Sequence, residues 1–190
     1  MSAFINDVCE RIREAGARKT PLRIRAGGSK DFYGRTLSGE VLDVSSYKGI
    51  VAYEPKELVL TVRAGTPLEE VESALAGERQ MLPFEPPHFG GGTIGGAVAC
   101  GLSGPRRPYA GAVRDFVLGT RIVNGKGEDL SFGGRVIKNV AGYDVSRLMV
   151  GSLGTLGVIT EISFKVLPAP PVCGRGARFR ARRARRERQG

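Results

Sequence analysis

Residues 90–104 read Gly-Gly-Gly-Thr-Ile-Gly-Gly-Ala-Val-Ala-Cys-Gly-Leu-Ser-Gly, seven glycines in fifteen positions. A backbone this poor in Cβ atoms can approach a ligand closely and turn its N–H groups toward an anion. A second glycine turn, Arg25-Ala-Gly-Gly-Ser-Lys-Asp31, lies upstream, and a third, Gly151-Ser-Leu-Gly-Thr-Leu-Gly157, lies downstream. Three such turns point to a long, phosphate-bearing ligand touched at several places, and so to a nucleotide cofactor.

The two common phosphate loops do not fit. Gly90, Gly92 and Gly95 match Gly-x-Gly-x-x-Gly, with Asp115 at the spacing of a Rossmann acid, but Pro86 and Pro87 deny the preceding segment the N–H groups of a central strand. The Gly125-Lys126 pair is followed by Gly127 where a Walker loop needs Ser or Thr. The central stretch instead predicts a short helix over 93–102, with Ile94, Ala97, Val98 and Cys100 on a small apolar face. Its first N–H groups and positive dipole end would face an anion.

Composition narrows the class. Hydrophobic residues make up 41% of 190, enough for a globular core. No run of about 18 apolar residues occurs and the first residues carry acid, so a cytoplasmic chain without a transmembrane segment is expected. Cys9, Cys100 and Cys173 form no Cys-x-x-Cys pair, which argues against a disulfide framework, zinc or an iron–sulfur cluster. Cys100 reads as a small packing residue. His88, the single histidine, reads as a loop residue beside the glycines and is also the one imidazole available as a base. The net charge of +10 is concentrated in residues 174–190, which carry eight Arg and one Glu, leaving +3 on the remainder.

In chain order, Phe4, Ile5, Val8, Cys9 and Ile12 predict an amphipathic helix over 2–17, followed by a strand over 22–26 that delivers the chain into Gly27-Gly28-Ser29. That turn is equally compatible with a pyrophosphate cradle and an ordinary loop. Strands are predicted over 41–45, 49–54 and 57–64, and then a helix to about Ala76 with Thr66 as N-cap, Pro67 at its first position and Gly77 as its stop. Asn124-Gly-Lys-Gly127 predicts a hairpin between 115–124 and 128–132. A short helix around 145–149 and a long strand over 156–167 complete the pattern.

Four ordered motifs carry a resemblance over about residues 5–170. They are Arg25-Ala-Gly-Gly-Ser-Lys, Gly92-Thr-Ile-Gly-Gly-Ala-Val-Ala, Val113-Arg-Asp-Phe-Val-Leu-Gly119, and Gly142-Tyr-Asp through Gly157-Val-Ile-Thr160. Together they resemble the PCMH-type FAD-binding domain of the vanillyl-alcohol-oxidase family. Pro86-Pro-His-Phe, Ala99-Cys-Gly-Leu-Ser-Gly-Pro-Arg-Arg-Pro and Lys138-Asn-Val-Ala-Gly-Tyr-Asp narrow the likeness to the FAD-binding E subunit of bacterial glycolate oxidase.

The resemblance implies an α+β, two-lobed domain with small mixed and antiparallel sheets and flanking helices, spanning 1–171, with lobes of about 1–84 and 85–171. It implies non-covalent FAD. Gly27, Gly28, Ser29, Lys30 and Asp31 would line the pyrophosphate, as would Thr93, Ile94, Gly95 and Gly96. Gly157 and Ile159 would border the flavin or adenine through main-chain contacts, and Asp115 and Asp144 would brace loops. The implied reaction oxidises a 2-hydroxy acid such as glycolate to a 2-oxo acid. The implied partners are a second flavin subunit and an iron–sulfur subunit, with the assembly peripheral at the inner membrane. No residue of this sequence is identified as the catalytic base, and no metal ligands are expected.

Two departures qualify that reading. Leu153 stands where many relatives have Glu, which favours the E-subunit likeness over a D-lactate-type dehydrogenase. The family pattern breaks soon after Pro171, so a fragment that binds FAD without turnover of its own is the alternative. Residues 172–190 are expected to form a disordered Arg-rich tail rather than a specific nucleic-acid arm.

Overall fold

The computed structural model describes residues 2–34, 36–134 and 143–171. Segments 135–142 and 172–190 lie outside it, and with them most of the Lys138–Asp144 motif and the Arg-rich tail.

Helix α1 (Ala3–Arg18) starts at Ser2, whose hydroxyl accepts the Ile5 N–H, and stops at Lys19 in the left-handed conformation. Ile5, Val8, Cys9, Ile12 and Ala15 recur at helical spacing and form its buried stripe. Strands β1 (Leu22–Arg25) and β2 (Glu40–Asp43) pair in parallel as a small separate sheet. The chain then forms β3 (Ile50–Glu54), β4 (Val59–Arg63), α2 (Leu68–Gly77) and the short β5 (Gln80–Met81). An irregular stretch leads to α3 (Ile94–Cys100), α4 (Arg107–Ala110) and a 3-10 turn at Val113–Asp115. Strands β6 (Val117–Val123) and β7 (Asp129–Gly133), helix α5 (Val145–Leu148), and strands β8 (Val158–Lys165) and β9 (Leu167–Pro168) complete it.

The main sheet has the order β3-β4-β8-β6-β7 with antiparallel neighbours throughout. Its centre is therefore β8, the last long strand of the chain. One core packs Leu60, Val62, Ile162, Phe164 and Ile122 of this sheet against Leu68, Val71 and Leu75 of α2 and Ile94, Ala97 and Val98 of α3. A second core joins the buried stripe of α1 to Leu42, Val44 and Tyr47, and it reaches the main sheet at Val123 and Val158. The fold is α+β, as the sequence implied. The main sheet crosses residues 84 and 85, where the sequence placed a lobe boundary, because β3 and β4 pair with β8 on the far side.

Two local expectations are corrected. Thr66 does not cap α2, which begins after Pro67 without a side-chain cap. Its hydroxyl donates to the Arg63 carbonyl at 2.7 Å and accepts the Gly49 N–H at 2.9 Å, so it ties two loops together instead. Gly77 belongs to α2 rather than stopping it, and the chain turns at Glu78.

Candidate cofactor-binding site

The first glycine turn lies directly against the second. A Cβ on Gly27 would overlap the Gly91 carbonyl oxygen and lie 3.7 Å from the Thr93 methyl carbon Cγ2. Lys30 reaches across the same gap: its Nζ lies 3.3 Å from where a Cβ on Gly92 would stand, and 3.8 Å from that of Gly96. The structure thus brings Gly27, Lys30, Thr93 and Gly96 together from opposite ends of the first hundred residues.

Beside this junction the backbone is rich in unused donors. Among the described residues, the N–H groups of Gly27, Gly28, Ser29, Lys30, Gly90, Gly91, Gly92 and Thr93 have no acceptor. Gly28, Gly90 and Gly91 hold left-handed φ of 66°, 67° and 67°, which glycine alone adopts without a Cβ penalty. Lys30 hydrogen-bonds Ser29 Oγ at 3.3 Å, and among the described residues no carboxylate pairs with its ammonium. Burial pushes its pKa below the ordinary lysine value. A partly desolvated cation beside unsatisfied N–H donors is the electrostatic complement of a phosphate.

The start of α3 departs from expectation. Ile94 N–H donates to the Thr66 carbonyl at 2.9 Å, Gly95 N–H to the Ala64 carbonyl at 2.9 Å, and Gly96 N–H to Thr93 Oγ1 at 3.2 Å. These groups anchor the helix rather than face an anion, so the available donors are those of the loop before it. The physical reason is proximity: a Cβ on Gly95 would come within 2.6 Å of Ala64 Cβ, and this contact presses α3 onto the end of β4.

Gly157 and Ile159 are linked to the junction less directly. Ala64 N–H donates to the Thr160 carbonyl at 2.7 Å, so β8 supports the strand end on which α3 rests. Ile159 itself is buried in the main core, and Gly157 approaches β6, where a Cβ would stand 2.8 Å from the Val123 carbonyl oxygen. The third glycine turn ties the assembly together: Gly151 N–H donates to Val98 O at 3.0 Å and Leu153 N–H to Ala99 O at 2.8 Å. A Cβ on Gly154 would lie 2.9 Å from Ile24 Cδ1, so this loop packs between α3 and β1.

The charged side chains mostly brace the loops. Asp31 pairs with Arg23 and, at 3.6 Å, with Arg25, so its carboxylate fixes the turn rather than facing the gap. Asp115 Oδ2 accepts the Ala112 N–H and Asp144 Oδ1 the Arg147 N–H. His88 Nε2 stands 3.0 Å from Glu72 Oε2, tying the proline-rich loop to α2. Cys100 is half-buried, and burial pushes its thiol pKa up, consistent with packing rather than nucleophilic chemistry. The described residues contain no group of three His, Cys, Asp or Glu able to hold a metal and no helix long and apolar enough to cross a membrane.

Sequence reasoning overlooked Phe32 and Phe89, which flank the glycine turns as an edge-to-face aromatic pair. Their position one residue outside each turn was the available signal.

Comparison with known proteins gives the family. The family described as "FAD binding domain" matches residues 4–133. The chain belongs to the FAD-binding domain family. FAD is the cofactor of this family, and the donors and ammonium at the junction fit its diphosphate. The FAD-binding domain is 62% identical over 162 residues to glycolate oxidase subunit GlcE of Escherichia coli, covering 85% of this chain and 46% of that protein. It is 32% identical over 170 residues to D-2-hydroxyglutarate dehydrogenase of Xanthomonas citri, covering 88% and 36%. Against glycolate oxidase subunit GlcD of Bacillus subtilis it is 35% identical over 135 residues, covering 71% and 29%. The chain thus spans less than half the length of each of these relatives. A solved structure of alkyldihydroxyacetonephosphate synthase superposes with a TM-score of 0.68 at 23% identity, over 87% of this chain and 30% of that one, which shows a shared fold.

Proposed function

We propose that this chain holds FAD non-covalently as the cofactor-binding part of a glycolate-oxidase-type subunit, with the diphosphate between the Gly27–Asp31 turn and the Gly90–Gly96 segment. The observation that carries this reading is that, among the described residues, the N–H groups of residues 27–30 and 90–93 have no acceptor and the Lys30 ammonium beside them has no carboxylate partner. Hydrogen bonds to a charged group contribute roughly 1.5–3 kcal/mol each, enough to offset the ordering of two glycine loops at about 1–2 kcal/mol per residue. The FAD-binding unit covers residues 1–171, and the Arg-rich 172–190 stand outside it.

Bound FAD supplies the electron acceptor for oxidation of a 2-hydroxy acid, glycolate, to its 2-oxo acid. The chain's own contribution is placement. Gly27, Gly28, Ser29 and Lys30 take one side of the diphosphate, and Gly90, Gly91, Gly92 and Thr93 take the other. Ile94, Gly95 and Gly96 press α3 against β4, and Gly157 and Ile159 contribute main chain at the start of β8. Asp31 keeps the first turn in shape through Arg23 and Arg25. The identity to the GlcE subunit supports glycolate as substrate and a place in a multi-subunit oxidase. The family resemblance adds to this reading a second flavin subunit, an iron–sulfur subunit and a cytoplasmic location peripheral at the inner membrane.

The test is to purify the chain, titrate it with FAD by flavin fluorescence, and follow its thermal stability, which a ligand specific to the folded state must raise. Saturable binding with stabilisation is expected, followed by flavin bleaching on addition of glycolate once the partner subunits are present. A folded chain that binds no FAD overturns the proposal. Binding without bleaching under any partner combination restricts the chain to holding the cofactor.

A further inference from the structure

Phe32 stands immediately after the Gly27–Asp31 turn and Phe89 immediately before Gly90, so each side of the cradle carries an aromatic ring at its lip. The two rings meet edge to face with centroids 5.3 Å apart. Even so, 69% of Phe32 and 50% of Phe89 remain exposed, and neither ring belongs to either core. Phe89 also holds φ of 49°, a left-handed conformation that a bulky side chain seldom adopts. Lys30 Nζ lies 6.0 Å from the centre of its ring.

Edge-to-face pairing and the nearby Lys30 ammonium stabilise the rings to some extent but leave much of each ring in water. A planar heteroaromatic ring joined by one sugar to a diphosphate accounts for the remaining exposure and for the placement of both rings beside the phosphate cradle. With the phosphate against Lys30, the sugar spans the gap and the ring arrives over the exposed aromatic pair. Stacking on phenylalanine is favoured for any such ring because both partners present flat π faces and exclude water.

Resting on the FAD reading above, we infer that Phe32 and Phe89 form an aromatic platform on which a planar ring of the dinucleotide stacks while its diphosphate occupies the cradle. Adenine and isoalloxazine share the chemistry that the platform recognises.

The test uses the full chain and three variants, Phe32→Ala, Phe32→Leu and Phe89→Gly. The last removes the ring at a φ that glycine accepts freely, and Phe32→Leu keeps apolar bulk without a π face. Each protein is titrated calorimetrically with FAD, ADP, FMN and inorganic pyrophosphate. Phe32→Ala and Phe89→Gly should weaken FAD by about tenfold while pyrophosphate binding and the ligand-free melting temperature stay the same. Phe32→Leu should fall between Phe32→Ala and the parent. A matching loss for ADP alone places adenine on the platform, and a matching loss for FMN alone places isoalloxazine there. Unchanged FAD affinity in Phe32→Ala and Phe89→Gly overturns the platform and leaves the cradle standing. So does a fall in pyrophosphate affinity equal to that for FAD, because the substitutions then act on the cradle rather than on a ring. If the parent chain binds neither FAD nor pyrophosphate, the FAD reading itself falls and the platform falls with it.

Discussion

Gly27 and Gly91 approach so closely that a Cβ on the first would stand 2.0 Å from the carbonyl oxygen of the second. The obstructing atom is backbone and cannot swing aside, so Gly27→Ala must push the two turns apart. The expected result is an FAD affinity lowered at least about tenfold with secondary structure retained, read by fluorescence titration and circular dichroism. Gly16→Ala is the control. No atom lies within 4 Å of a Cβ at that helical position, so this change should stabilise the chain by about 0.5–1 kcal/mol in urea unfolding.

Lys30 sets a conflict between stability and binding. Burial lowers its pKa in the folded chain, so below that pKa the charged form destabilises the ligand-free fold, a penalty relieved as the pH rises toward the unfolded lysine value. A diphosphate needs the same charge. FAD affinity should therefore fall with rising alkaline pH while the ligand-free chain gains stability over the same range. Lys30→Met should abolish this dependence, weaken FAD by roughly 1.5–3 kcal/mol, and leave the ligand-free melting temperature equal or higher. Titrations at several alkaline pH values, paired with melts, check both signs.

Thr93 caps α3 by accepting the Gly96 N–H. Thr93→Ala should cost about 1 kcal/mol in denaturant unfolding. Thr93→Ser, which keeps the acceptor oxygen, should restore most of that loss.

The small core is fastened to the main sheet by a polar cluster as well as by apolar contact. Arg121 donates to Asp129 through Nε at 2.9 Å and Nη2 at 2.7 Å and to Glu161 at 3.2 Å, while Tyr47 OH donates to Glu161 at 2.8 Å. The Asp129 side chain is only 5% exposed. Asp129→Asn leaves the guanidinium partly buried against a neutral amide and should destabilise the chain by about 3 kcal/mol. Chemical denaturation measures the loss, and a change near zero would mean that solvent already screens the pair.

Local pattern made much of this architecture legible. The stripe from Phe4 to Ile12, the Asn124–Gly127 hairpin turn and the apolar run within 156–167 each specify their element through periodicity or turn chemistry. The glycine turns announced a phosphate ligand, because a backbone without Cβ atoms serves close approach wherever it is placed. Thr66-Pro67 misled for a physical reason: a hydroxyl before a helix caps it only if no nearer acceptor claims it, and the Arg63 carbonyl lies 2.7 Å away.

The sequence by itself determined the longer elements, the close-approach glycines and the class of ligand, since these depend on local periodicity and on which side chains are absent at fixed spacing. The short β5, α4, β9 and the 3-10 turn at Val113–Asp115 escaped it. Only the tertiary structure decided that Gly27 meets Gly91, that β8 occupies the centre of the sheet, and that the N–H groups of Ile94, Gly95 and Gly96 are consumed by Thr66, Ala64 and Thr93. It also decided that Phe32 and Phe89 come together at the lip. These are contacts between residues far apart in the chain, fixed by how β4, α3 and β8 pack against a shared core, and no local spacing encodes them.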